Sequence, residues 1–366
     1  LSKKYISNSI LFEKARDILE ALDHELCEAE IRVILCEYCF KLLSIKHGIK
    51  LDSGLALLQL DSFKADSADY LAAYALIEDI KDVEKIINEN LKALSIDIFS
   101  SDEDFIGLLS MGLKSLGDRK ADGVYFTPTS VVNKMMDVVT EKRGTKGTIA
   151  DICCGSGNFL LAALKRGFDY HNIYGFDIDD VSVKIAIFNI AYNCEEADYN
   201  VLISNFRTLN SLEYCERKFD IVIGNPPWGS DIDCNDPYIR FNFECAVGNA
   251  DAFDLFLEKG LKLISDGGYL YYVVPESLIN VASHSNIRAV IQGVSSLDDL
   301  IYWGNIFDGV QAPAISIMLK KGVTHAFEIG ATIRTEREIY QILKNRNISK
   351  NAWNIGMNDE EYSLIN

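Results

Sequence analysis

The stretch Phe219-Asp220-Ile221-Val222-Ile223-Gly224-Asn225-Pro226-Pro227-Trp228 admits few folds. Phe219 to Ile223 is too short for a stable helix and rich in β-branched residues, so it reads as a buried strand that Gly224 ends. The two prolines cannot join a sheet ladder, and they hold Asn225 extended just past the strand's carboxyl end. In an open parallel α/β sheet that edge is where ligands bind. The side-chain carbonyl of Asn225 and the backbone carbonyl of Pro226, held side by side, can both accept from one NH2 group, and the flat Trp228 offers a stacking surface. The arrangement suits an aromatic amine. The plainer alternative is a Pro-Pro turn after a core strand.

With 366 residues, 48% hydrophobic and 25% charged, the chain can bury a large core and is expected to form two domains. No apolar run approaches a membrane span, and Leu1-Ser2-Lys3-Lys4 lacks the apolar core of a signal peptide. A start at Leu rather than Met suggests a trimmed or processed chain. Nine cysteines, an odd number scattered through apolar segments, favour a reducing cytoplasm over a disulfide framework. Cys36 and Cys39 form a lone C-x-x-C that reads as packed helix thiols. The five histidines show no metal-ligand spacing, so no metal is expected. The net charge of −18 is at odds with a grip on nucleic acid, which needs a basic face. Either charge is segregated or any such grip lies elsewhere.

From Leu1 to about Leu116 the apolar residues recur at helical spacing, with Gly and Pro nearly absent, predicting an all-α domain over 1–116. Asp122-Gly123-Val124-Tyr125-Phe126-Thr127-Pro128-Thr129 then breaks the texture, and Thr127 or Thr129 is expected to cap a helix from Ser130 to about Glu141. Gly147 to Leu161 reads as strand, glycine turn and helix, with Asp151 near the strand's carboxyl end and Gly155 and Gly157 admitting a ligand close to backbone. The third glycine of the dinucleotide fingerprint falls on Leu160, which speaks against NAD. Ile173 to Asp177 is a second strand whose terminal acid stands roughly twenty residues on, the usual place for a ribose-diol acceptor. The plainer alternative for Asp177 is a cap of the next helix, a job better suited to Asp179 or Asp180. Val201-Leu202-Ile203 reads as the third strand; after it, Phe206 either stacks on an adenine ring or packs in the core, with Asn205 available for the ring's edge. A helix over Ala252–Ile264 and strands over Gly267–Pro275, Asp299–Trp303 and Ala314–Leu319 complete the α/β pattern, and the Gly304–Val310 loop carries Phe307. Residues from Arg334 onward read as the start of a new helix and connector.

Assembled in this order, Tyr125-Phe126-Thr127-Pro128, Asp151-Ile152-Cys153-Cys154-Gly155-Ser156-Gly157, Gly175-Phe176-Asp177-Ile178 and Asn225-Pro226-Pro227-Trp228 resemble the S-adenosylmethionine-dependent DNA adenine-N6 methyltransferases of restriction-modification systems. The resemblance implies a Rossmann-like class I methyltransferase fold, a seven-stranded α/β sheet, over 117–330. It further implies a connector over 331–366 leading to a C-terminal region outside the sequence, and DNA contacted through a recognition domain or subunit likewise outside it. By the same resemblance Thr127, Asp151, Cys153, Gly155 and Gly157 surround the methionine part of the cofactor, Asp177 binds its ribose with Ile178 against the adenine, and Asn205 and Phe206 hold the adenine ring. Asn225, Pro226, Pro227 and Trp228 carry catalysis, with Trp228 and Phe307 stacking on the flipped base. The family usually has Asp where Asn205 stands and Tyr or Phe where Trp228 stands. The expected reaction is methyl transfer to adenine N6; a protein glutamine or RNA substrate is the alternative, and a non-enzymatic scaffold the third reading. Cys153 and Cys154 are not expected to act as nucleophiles.

Overall fold

The computed structural model describes residues 5–52, 54–100, 103–114, 126–248, 250–307, 312–322, 332–335, 339–342 and 353. In chain order the helices are α1 (Ser9–Glu20), α2 (Glu28–His47), α3 (Ala68–Tyr74), α4 (Val83–Glu89), α5 (Leu91–Leu94), α6 (Phe105–Leu113), α7 (Thr129–Arg143), α8 (Asn158–Lys165), α9 (Asp180–Tyr192), α10 (Tyr199–Asn205), α11 (Ser211–Tyr214), α12 (Pro237–Asn242), α13 (Ala252–Leu263), α14 (Ser277–Asn280) and α15 (Ser285–Val294). The strands are β1 (Ile149–Asp151), β2 (Ile173–Asp177), β3 (Phe206–Thr208), β4 (Phe219–Gly224), β5 (Asp231–Ile232), β6 (Ala250–Asp251), β7 (Ile264–Pro275), β8 (Ser295–Gly304), β9 (Ala314–Lys321), β10 (Thr332–Thr335) and β11 (Ile339–Ile342). The chain divides into two compact units: Leu1–Asp118, Phe126–Lys146 and Cys154–Leu209 form the first, and Arg119–Tyr125, Gly147–Cys153 and Asn210–Asn366 the second.

In the first unit α2 is the central rod, buried from Arg32 to Ser44. It starts where Glu30 reaches back to the Cys27 amide at 2.8 Å and ends at Gly48, whose φ of 66° lets the chain turn out of the helix. Burying its polar positions requires partners. Glu37 accepts from the Ala56 and Leu57 amides at 2.8 and 2.9 Å, while Lys41 donates to the carbonyls of Leu94 and Ile96 at 2.6 and 3.0 Å. The helix α7 begins as expected, but neither threonine caps it: the cap position is Pro128, which has no side-chain oxygen. Thr129 Oγ1 instead donates to the Tyr5 carbonyl at 2.7 Å.

Strand β2 falls where the sequence puts it, and β3 does not. Val201 to Ile203 lie inside the helix α10, because Asp198 caps that helix by accepting from the Asn200 amide at 2.8 Å. The third strand is Phe206–Thr208, parallel to β2 in the register Gly175↔Phe206 and Asp177↔Thr208.

The strands of the second unit run β11-β10-β8-β9-β7-β4-β1. The pairs β1·β4, β4·β7 and β8·β10 are parallel, and β9 runs antiparallel between β7 and β8. Ile221 to Ile223, Leu270 to Val274 and Ile317 to Leu319 are fully buried, as strands covered on both faces must be. At the entry to β4, Asp220 accepts from the Thr148 amide at 2.8 Å and its own amide donates to Thr148 Oγ1 at 3.0 Å, a reciprocal latch fixing β4 against β1. Where a helix was expected from Arg334, the described residues form two strands; the remainder of that segment, apart from Trp353, lies outside the described residues. Thr332, Ile333 and Thr335, then Ile339 and Ile342, supply the β-branched residues of β10 and β11, which pair antiparallel. Among the described residues no helix is long and apolar enough to cross a membrane, and no group of His, Cys, Asp or Glu is placed to hold a metal.

Candidate active site

In the first unit a glycine turn leads into α8. Gly155 has φ +52° and Gly157 φ +80°, conformations that L side chains rarely adopt. Their reasons differ. Nothing lies within 4 Å of where a Cβ on Gly155 would stand, so that glycine faces open space, whereas a Cβ on Gly157 would come to 2.9 Å from the Ala186 Cβ. Gly157 therefore serves the close approach of α9 to α8. The Gly155 amide donates to Asp177 Oδ2 at 2.8 Å, and the Asp179 amide to Asp177 Oδ1 at 3.0 Å. Burial pushes the Asp177 carboxyl above its usual range, and these two amides work against the shift. A carboxylate has about four acceptor positions, so each oxygen retains capacity for a hydroxyl donor. Directly after it Ile178 is 75% exposed, an apolar side chain offered at the mouth of the turn. Asp179, not Asp177, caps α9. Thr127 is buried, and its carbonyl accepts from Asn158 Nδ2 at 3.0 Å, which joins the Phe126-Thr127-Pro128 segment to the first residue of α8. Tyr125 lies outside the described residues.

Asn205 and Phe206 are placed differently from expectation. Asn205 donates to the His171 carbonyl at 3.1 Å, and the Phe206 ring fills the space over Gly175, 2.5 Å from where a Cβ would be. Of the two roles open to Phe206, the structure shows core packing. The residue level with Asp177 is Thr208, and the Leu209 amide donates to the Asp177 carbonyl at 2.8 Å.

In the second unit β1 and β4 end side by side. Asp151 is 1% exposed and accepts from the Cys153 amide at 3.0 Å; its carboxylate lies against Gly224, where an added Cβ would stand 2.5 Å from Oδ1. Asn225 and Pro227 are partly exposed, while Pro226 and Trp228 are buried. The ring of Trp228 meets that of Phe307 edge to face, centroids 5.0 Å apart at 87°, so the two expected base-stacking residues touch one another. The Trp228 Nε1 is buried and makes no hydrogen bond among the described residues. Beyond the indole the chain is tied down by Asp251, whose carboxylate accepts from the Gly229 amide at 2.9 and 3.1 Å while capping α13. Asp254 accepts from the Asp251 amide and is itself held by His284 Nδ1 at 2.9 Å. Sequence reasoning passed over Asp251 and Asp254; the signal was the D-x-x-D spacing at the start of α13, a capping box.

A family model described as N-6 DNA Methylase matches residues 110–362. The chain belongs to the N-6 DNA methylase family. Among the relatives of this family member is the Type II methyltransferase M.VspI of Vibrio sp. (strain 343), 32% identical over 218 residues, which cover 59% of this chain and 52% of that protein. Another is the Type I restriction enzyme MpnII methylase subunit of Mycoplasma pneumoniae, 26% identical over 248 residues, covering 62% and 45%. The chain thus spans about half the length of these curated relatives. Among solved structures, the type I restriction-modification methyltransferase subunit of Streptococcus thermophilus matches with a TM-score of 0.59 at 18% identity, covering 98% of this chain and 92% of that one. A protein from Listeria monocytogenes described as a class I S-adenosylmethionine-dependent methyltransferase matches with a TM-score of 0.51 at 19% identity, covering 86% and 94%. The N-6 DNA methylase chain therefore has the class I methyltransferase fold, as its motif order led one to expect.

Proposed function

We propose that this chain is the methylating region of a cytoplasmic restriction-modification enzyme, and that it moves a methyl group from S-adenosylmethionine to the N6 amine of an adenine flipped out of DNA. The observation that carries the reading is Asn225-Pro226-Pro227-Trp228 at the carboxyl end of β4, with Asp151 packed against Gly224 at its root. The residues present fit the cofactor: Gly155 opens onto free space, Asp177 keeps acceptor capacity for a ribose diol, and exposed Ile178 offers an apolar surface for an adenine. Thr127, Asp151 and Cys153 complete the set assigned to it. Phe206 is left out, since its ring packs over Gly175; Asn205, which donates to the His171 carbonyl through Nδ2, keeps its Oδ1 for the adenine's edge.

When bound, S-adenosylmethionine supplies an electrophilic methyl group on a sulfonium. The chain's own residues act on the acceptor. An adenine amine is a poor nucleophile because its lone pair is delocalised into the ring. Asn225 Oδ1 and the Pro226 carbonyl accept its two protons, localise the pair and aim it; the two prolines hold both oxygens in place beforehand, so the gain comes from positioning and from stabilising charge that develops on the nitrogen. Stacking of the base on Trp228 contributes about 1–3 kcal/mol toward the few kcal/mol needed to unstack it. Phe307, now against the indole, swings aside to admit the base and closes on its far face. Reading of the DNA sequence belongs to a domain or subunit outside these residues, which accounts for the −18 charge.

The test is incubation of the chain, alone and with that recognition region, with labelled S-adenosylmethionine and DNA. The expected product is N6-methyladenine, abolished by Asn225→Ala while cofactor binding persists. Label found on protein or RNA and not on DNA, or full activity in Asn225→Ala, overturns the proposal.

A further inference from the structure

The helix α6 belongs by sequence to the N-terminal helical region, yet both of its ends are bonded to the turns assigned to the cofactor. At its start Asp104, the cap residue, accepts from the Gly107 amide at 2.7 Å and from Asn189 Nδ2 at 2.8 Å through Oδ1. Its Oδ2 accepts from the hydroxyl of Ser156 at 2.5 Å, the residue between Gly155 and Gly157. Ser156 and Asn189 are 2% and 5% exposed, so these bonds are shielded from water. Asn189 also donates to the Ser156 carbonyl at 2.9 Å. Gly107 has no side chain because a Cβ there would run into Asp104 and Ser156. At the other end Lys114 donates to Asp179 Oδ2 at 2.6 Å.

These bonds close a ring. Asp177 takes the Gly155 amide on one oxygen and the Asp179 amide on the other. Ser156, next to Gly155, is tied to the start of α6, and Asp179 is tied to its end. The nine residues of α6 span about 13 Å at 1.5 Å each, a fixed length set between the two turns that flank Asp177.

We propose that α6 is a brace that fixes the two cofactor turns relative to one another, with Asp104 and Lys114 as positioning residues for Asp177. The function of the N-terminal region follows: it sets cofactor affinity through α6, by fixing the two turns. The part concerning affinity rests on the S-adenosylmethionine reading; the bracing of the turns does not.

The experiment has two arms on the same proteins. In the first, hydrogen exchange is followed in the ligand-free chain. Asp104→Ala and Lys114→Ala are expected to speed exchange at least about tenfold in peptides covering 153–158 and 177–182, and to leave β4 and β7 unchanged. In the second, calorimetry with S-adenosylmethionine is expected to show the dissociation constant raised about tenfold by Asp104→Ala and about threefold by exposed Lys114→Ala. Asp104→Asn is expected within about twofold of wild type, since its amide can donate to Ser156 Oγ. Glu37→Gln, buried in α2, serves as the control: it lowers the unfolding midpoint without moving the dissociation constant. Faster exchange in a wild-type background that binds no S-adenosylmethionine refutes the cofactor reading and upholds the brace. Unchanged exchange and affinity in both Asp104→Ala and Lys114→Ala, or an equal rise in the dissociation constant with Glu37→Gln, overturns the brace.

Discussion

Replacing Gly224 by alanine tests the geometry at the root of the Asn225 loop. Gly224 has φ +155°, where an L residue is strained by about 1–3 kcal/mol. The new Cβ would stand 2.5 Å from Asp151 Oδ1, 2.9 Å from its Cγ and 3.0 Å from Oδ2. The strand cannot yield, because Gly224 is paired with Tyr272 of β7 while Ile221 and Val222 are paired with β1. The carboxylate must move instead, and its 3.0 Å bond from the Cys153 amide is lost or stretched. A hydrogen bond to a charged group contributes about 1.5–3 kcal/mol, so Gly224→Ala is expected to destabilise the chain by about 2.5–6 kcal/mol in all.

Urea unfolding, compared at constant slope, reads that loss. The decisive measurement is the same substitution in an Asp151→Ala background. With no carboxylate to strike, only backbone strain remains, and the cost should fall by at least about 1 kcal/mol, a coupling that separates the clash from the φ effect. An equal cost in both backgrounds, or a loss below about 0.5 kcal/mol in the first, refutes the packing of Asp151 on Gly224.

Three further outcomes are expected. Burial holds the Asp177 carboxyl above its ordinary value, so its ionised form opposes folding: the stability it confers is complete below about pH 3.9 and is lost as pH rises through the raised value. The ligand-free chain should therefore lose stability as pH rises through that raised value, a dependence missing from Asp177→Asn, while cofactor affinity, which needs the anion as acceptor, should fall in wild type as the carboxyl protonates; a thermal-shift series against pH, with and without S-adenosylmethionine, checks both signs. Trp228→Phe should keep most methyl transfer and Trp228→Ala should lose stacking worth about 1–3 kcal/mol, seen as a rise in the dissociation constant for DNA with a mismatched target adenine and absent with an abasic target. Equal loss in both variants would show that the indole, not a flat ring, is required. His284→Ala strips the buried Asp254 of its ring partner and should cost about 1–3 kcal/mol in urea unfolding, whereas His284→Gln should restore part of it; no loss in either refutes the Asp254–His284 bond.

Features set by one or two residues were legible in the sequence. Ile173–Asp177 and Phe219–Gly224 are strands because short runs of apolar, aromatic and β-branched residues end on an acid or a glycine, and Asp179 caps α9 because it precedes the apolar period. The class I order followed from the resemblance that the four motif stretches carry. What was not legible came from contacts between residues distant in the chain. Asp104 and Ser156 are 52 positions apart, and nothing near either announces the other. The caps of α7 failed for a related reason: Thr129 has the right chemistry, but its hydroxyl is taken by Tyr5, 124 positions away.

The third strand shows how a local misreading spreads to the site. Val201-Leu202-Ile203 has strand composition, yet Asp198 caps a helix there, and burial of Leu202 and Asn205 with Ile203 and Ser204 exposed follows a helical spacing of three. Phe206-Arg207-Thr208 has a single apolar residue, too few to show a period of two. Moving the strand from 201–203 to 206–208 changes which residues reach the carboxyl edge. Asn205 and Phe206 go from just beyond the strand to its start, where the register sets Phe206 beside Gly175, two residues short of Asp177. An aromatic at that level must fill the gap left by a glycine, and Gly175 leaves just such a gap, with Leu160 closing its other side. The missing third glycine at Leu160, the glycine at 175 and the ring at 206 are thus one packing solution. It puts Phe206 in the core of the first unit and leaves Thr208, level with Asp177, at the strand's carboxyl end.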